Sequence, residues 1–66
     1  MSDIEDSVYV KNGIGLVWVR ERGEAGLEDV FYIQTATERV EFRRFYVGEH
    51  DMALLYWEAI KKVVNG

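Results

Sequence analysis

The dipeptide Asn12-Gly13 constrains this chain more than any other pair of neighbours. A two-residue hairpin of type I′ needs positive φ at both central positions, and Asn-Gly accepts that conformation most readily. The flanking stretches SVYVK (7–11) and IGLVWV (14–19) are apolar and rich in β-branched residues. Two strands therefore close on this turn. Because side chains alternate faces along a strand, the turn sets Lys11 opposite Ile14, Tyr9 opposite Leu16 and Val8 opposite Val17.

Two further turns extend the pattern. Gly23-Glu24-Ala25-Gly26 reads as a four-residue loop with glycine at both ends, and Ala36-Thr37 as a shorter turn. Closing at 23–26 sets Leu16 opposite Ile33, Trp18 opposite Phe31, and Arg20 opposite Asp29. Closing at 36–37 sets Ile33 opposite Val40, Phe31 opposite Phe42, and Asp29 opposite Arg44. The three turns converge on one apolar face: Tyr9, Ile14, Leu16, Trp18, Phe31, Ile33, Val40 and Phe42. That face ends in a charged row, Arg20–Asp29–Arg44. The same register sets Glu21 opposite Glu28, a like-charge pair that costs a little at an edge. The stretch Arg43-Arg44-Phe45-Tyr46 has room for a bulge that would turn Phe45 or Tyr46 inward.

The last segment, EHDMALLYWEAIKKVVNG, is rich in helix formers and has no glycine or proline in its interior. Glu49 and Asp51 suit the positive end of a helix dipole, and Lys61 and Lys62 suit the negative end. At 100° per residue, Met52, Ala53, Tyr56, Trp57, Ala59, Ile60, Val63 and Val64 form one broad apolar arc. Leu54, Glu58, Lys61 and Lys62 fill the remainder. The arc is wide enough to touch more than one flat sheet face. The expected fold is α+β: a four-stranded antiparallel β-meander packed on one C-terminal α-helix. Strands are expected at about 7–11, 14–22, 28–35 and 38–47, the helix at about 50–64, and a disordered lead-in at 1–6.

The sheet face turned away from the helix would be polar if it met only water. By the same registers it carries Val8, Val10, Val17, Val19, Val30 and Tyr32, ringed by Glu21, Glu28, Gln34, Arg39, Glu41 and Arg43. An apolar centre with a charged rim is the anatomy of a protein interface. The candidate protein-binding residues are therefore Val8, Val10, Val17, Val19, Val30, Tyr32, Glu41 and Arg43. The open edge of strand 7–11 offers unpaired backbone groups as a second docking mode. Two alternatives remain open: Ile4 in an extended N-terminal segment covers the valines, or the register is displaced by one and the faces are mixed.

Size favours association. A chain of 66 residues buries a modest share of its unfolded surface. With no cysteine it has no disulfide, and it has no Cys/His cluster for a structural zinc. A partner protein, or a second copy in a homodimer, would supply the missing burial. No apolar run reaches the length of a membrane span, and the start MSDIEDS is the opposite of a signal peptide, so a cytoplasmic location with no membrane partner is expected.

Catalysis finds little support. The single histidine, His50, sits in Gly48-Glu49-His50-Asp51, but neighbours on a helix point in different directions and one histidine lacks companion ligands. Ser7, Thr35 and Thr37 have no base at a recognisable spacing. The glycines serve turns and form no phosphate loop. No enzyme activity, cofactor or metal is expected.

VYVKNG resembles the short first-strand motif of RNA-recognition-motif domains, in which an aromatic residue stacks on a base. Arg43-Arg44-Phe45-Tyr46-Val47-Gly48 is similar to the second motif of that family. Each likeness covers six residues. The family's order is β-α-β-β-α-β, whereas here the first strand meets a turn and another strand at once, leaving no room for the first helix. The formal charge of −4 also disfavours nucleic acid. Single-strand binding through Tyr32, Arg39 and Arg43 is the alternative to a protein-interaction module. Short acidic domains without an active site are common among inhibitors and accessory proteins of phages and mobile elements, and that class sets the expectation for this one.

Overall fold

A computed structural model of the chain describes residues 3–66. It shows four antiparallel strands in one sheet, ordered β1 (Asp3–Lys11), β2 (Ile14–Gly23), β3 (Gly26–Gln34) and β4 (Arg39–Phe45). One helix follows, α1 (His50–Asn65). The α+β meander is as the sequence implies. The lead-in is not: residues 3–6 belong to β1, while residues 1 and 2 lie outside the described residues. Among the described residues no helix is long and apolar enough to cross a membrane.

Asn12 and Gly13 have φ of 53° and 75°, the conformation that the type I′ turn demands. Between β2 and β3 the ladder runs to Gly23↔Gly26, so the connection shortens to Glu24-Ala25. The pairs Leu16↔Ile33, Trp18↔Phe31, Arg20↔Asp29 and Glu21↔Glu28 form as the turn chemistry requires. At the third turn the Thr35 N–H donates to Glu38 O at 2.9 Å, and the Glu38 N–H donates to Thr35 Oγ1 at 3.1 Å.

Three bulges redirect the outer strands. In β1 the extra residues are Glu5 and Val10, since Ile4↔Val19 is followed by Asp6↔Trp18, and Tyr9↔Gly15 by Lys11↔Ile14. Beyond Val10 the faces therefore exchange: Val8 pairs with Leu16 on the helix side, and Tyr9 with Gly15 on the other. In β4 the extra residue is Phe42, between Tyr32↔Glu41 and Phe31↔Arg43. Arg43 and Phe45 consequently turn toward the helix, and Arg44 pairs with Val30 on the far face. The expected row Arg20–Asp29–Arg44 is thus reduced to Arg20–Asp29.

The core lies between sheet and helix and consists of Trp18, Phe31, Phe45, Ala53 and Trp57, with Val8, Leu16, Tyr56 and Ile60 packed at its margin. Phe31 is fully buried at its centre. Its ring stacks on Trp18 and Trp57 at centroid distances of 5.8 and 5.7 Å, and meets Tyr56 edge-on at 5.1 Å. Such pairs add about 0.5–1.5 kcal/mol each beyond the area they bury. Beside them Asp29 is buried, accepting the Trp18 indole N–H at 2.8 Å and lying 3.1 Å from His50 Nδ1. Arg20 Nε stands 3.1 Å from the same carboxylate as an ion pair, without hydrogen-bond alignment.

Candidate protein-interaction surface

On the face opposite the helix the central valines are covered by neighbouring side chains, while Tyr9, Gly15 and Gln34 line an open hollow at one end. Val17, Val19 and Val30 are 5%, 1% and 0% exposed, which removes them from any surface. On that face the Val19–Val30 pair is flanked by Val17–Tyr32 on one side and by Glu21–Glu28 on the other. The Tyr32 hydroxyl donates to Glu21 Oε2, so the two side chains meet above the intervening valines. Burial and that bond hold the Tyr32 phenol protonated up to about 12.

Arg44 completes the cover. Its guanidinium grips Glu41 through Nη2 at 2.8 Å and Nε at 3.1 Å, donates through Nη1 to Glu28, and stands 3.7 Å from Glu21. The hydrogen bonds to Glu41 and Glu28 raise its pKa further, and the same contact lowers that of Glu41. The bulge at Phe42 thus sets Arg44, in place of Arg43, opposite Val30, where its charge offsets the repulsion of Glu21 and Glu28.

The eight residues proposed from sequence are accordingly divided. Val17, Val19 and Val30 lie beneath the network, and Val8 packs at the core margin on the helix side. Val10 is exposed at its bulge, Tyr32 and Glu41 are held by Glu21 and Arg44, and Arg43 sits on the helix side with its guanidinium 4.4 Å over the Phe45 ring. Ile4 pairs with Val19 on the far face, as a covering segment would, yet stays 61% exposed. The three residues of the nucleic-acid alternative do not share a face. Arg39 stacks on Tyr32 at 5.4 Å among glutamates, while Arg43 belongs to the other side.

The open edge of β1 carries Asp3, Glu5 and Asp6 and two bulges. Charges and bulges are the devices by which sheet edges resist added strands. This edge is blunted.

A different surface is left apolar. On α1, Met52, Leu55 and Val63 are 53%, 71% and 83% exposed, with exposed Ala59 between them. They form one flank of the helix, because positions 52, 55, 59 and 63 recur at helical spacing. That flank faces β4: Tyr56, its innermost member, touches Phe42 and Phe45, whereas Trp57 faces Asp6 and Trp18 on the opposite side. The corner of the sheet beside it, Ile14, Ile33, Val40 and Phe42, points to the helix side yet stays between 38% and 54% exposed. The sequence sets Ile14, Ile33, Val40 and Phe42 on the apolar face, and the structure leaves all four half-exposed there. The breadth of the helical arc was the signal that one helix of this width had more apolar surface than one sheet could cover.

Among the described residues no three of His, Cys, Asp and Glu lie close enough to hold a metal ion. Comparison of the chain with protein-family models, with curated proteins and with solved structures finds no match.

Proposed function

We propose that this chain is a small non-catalytic protein-interaction module that docks through the apolar flank of α1 and the adjoining corner of the sheet. The observation that carries this reading is the exposure of Leu55 and Val63 on the helix and of Phe42 and Val40 on the sheet, with Tyr56 of the helix 6.5 Å from the Phe42 ring between them. Single exposed apolar residues are ordinary on soluble domains; a contiguous strip across two elements marks a contact surface. Arg43, stacked on Phe45 and near Tyr56, supplies a polar rim of the kind that borders interfaces. A partner of matching chemistry presents an apolar helix face or strip of its own. An accessory or inhibitory role suits such a module, which acts by occupying a surface.

The test is affinity capture from the native host with two baits, the natural chain and Leu55→Asp. A partner retained by the first and released by the second supports the reading. Capture that is indifferent to Leu55→Asp, or lost on substitution at the β1 edge instead, moves the docking surface elsewhere.

A further inference from the structure

We infer that the occupant of this surface is a second copy of the chain, packed helix flank against antiparallel helix flank about a two-fold axis near Ala59. The inference rests on the docking surface proposed above and names its partner.

Three features of the flank favour self-association. The first is its symmetry about Ala59. Leu55 lies four residues before it and Val63 four after, so a two-fold axis at Ala59 brings Leu55 of each copy against Val63 of the other. The small alanine at the crossing lets the helices approach closely, since interaxial distance depends on the side chains at the contact. A two-fold interface must be self-complementary in this way, residue i meeting j while j meets i.

The second feature is charge. Glu58 and Lys62 lie on the outer margin of the same flank, one on each side of Ala59, and both are exposed. Antiparallel packing about Ala59 leaves Glu58 of one copy about 3 Å along the axis from Lys62 of the other, twice, within reach of both side chains. A parallel pairing would set like against like. Glu58 already lies 3.1 Å from Lys61 within its own helix, so the new pair extends an existing network.

The third feature is need. An interface of standard size takes about 800 Å² from each partner, roughly a sixth of the 4713 Å² that this chain exposes. The helix flank and the uncovered corner at Ile33, Val40 and Phe42 are positioned to be withdrawn from water together.

Light scattering coupled to gel filtration, run over a concentration series, reads the mass directly. The expected result is twice the chain mass, falling to one chain mass for the double variant Leu55→Asp, Val63→Asp, whose helical circular dichroism is unchanged because both residues are exposed in the single copy. Self-association should weaken roughly 30-fold or more, as for loss of an interface anchor. Glu58→Lys alone and Lys62→Glu alone should each weaken it, and an equimolar mixture of these two variants should associate again. A dimer that survives the double variant, or a mixture that fails to recover, overturns the proposed interface. A monomer at every concentration overturns the self-association; if host capture still depends on Leu55, the docking surface stands with another partner, and if it does not, both readings fall.

Discussion

The Trp57 indole donates its N–H to Asp6 Oδ2 at 2.9 Å, joining the C-terminal helix to the first strand across 51 residues of sequence. The bulge at Val10 makes the bond possible, because beyond it Asp6 lies opposite Trp18 and faces the helix. An acidic residue in what reads as a loose N-terminal lead is thereby part of the packing. The largest cause holding the Asp6 carboxyl below its ordinary value of 3.8 is this bond.

Asp6→Ala should therefore destabilise the fold by about 1 kcal/mol near neutral pH, the usual worth of one hydrogen bond. A carboxyl whose pKa is depressed by folding contributes above its unfolded pKa and loses that contribution as pH falls through the folded value. The gap between natural and variant chains should accordingly close below about pH 4. Urea midpoints at pH 7 and pH 3 check this; an equal gap at both would show that the carboxylate charge is not involved.

Tyr32 gives the complementary alkaline limb. Its hydroxyl is held protonated by burial and by donation to Glu21, up to about 12. A pKa raised by folding contributes stability that is complete below the unfolded value near 10 and is lost as pH rises through the folded one. Stability should fall between pH 10 and about 12, and Tyr32→Phe should remove that part of the decline. In an ultraviolet titration one of the four tyrosines should ionise late, and the variant should lack it.

Arg44→Ala should leave Glu21, Glu28 and Glu41 crowded without a cation and thin the cover over Val30. Exposed ion pairs contribute about 0.2–1 kcal/mol each, and Arg44 is 26% exposed in its side chain. A loss of roughly 1–2 kcal/mol is expected for the set. Added salt should recover part of it by screening the carboxylates. A variant with natural stability at low salt would show that the network contributes nothing.

Asp29→Ala removes the buried carboxylate that accepts the Trp18 indole N–H, pairs with Arg20 and lies beside His50. The expected loss is about 3 kcal/mol, typical of a buried pair broken from one side. His50→Ala should cost much less, since its side chain is 44% exposed. For a domain whose whole stability is on the order of 3–10 kcal/mol, the first change should shift thermal melting sharply and the second slightly. Equal shifts would mean that the histidine, not the carboxylate, organises the cluster.

These residues also show how far the chain could be read unaided. Registry between β2 and β3 follows from the two glycines at 23 and 26, because the ladder closes on them without interruption. The outer strands do not yield so easily. A bulge inserts one residue with no distinctive composition, and every side chain beyond it changes face. One bulge at Val10 moved Val8 and Tyr9 across the sheet, and one at Phe42 took Arg44 away from Asp29. The expected turn of Phe45 toward the helix does occur, but its cause lies at Phe42 and not within 43–46. The charge pattern held no clue, because the unbulged register would have set Arg43 opposite Val30, beside Glu21 and Glu28, where the bulge sets Arg44. The valine-lined face failed as an open surface for a second reason: long side chains can roof small ones, and alternation alone is blind to their reach.

The bulges have one more consequence. An open sheet with two free margins can lengthen by adding chain after chain, since every added strand presents a fresh margin. Here the longest uninterrupted run on β1 is Asp6–Tyr9, and β4 is broken into 39–41 and 43–45. Short, interrupted margins are poor templates for an added strand. Growth at the margins is checked by backbone geometry, whereas the pairing proposed through the helix flank would close on itself at two copies.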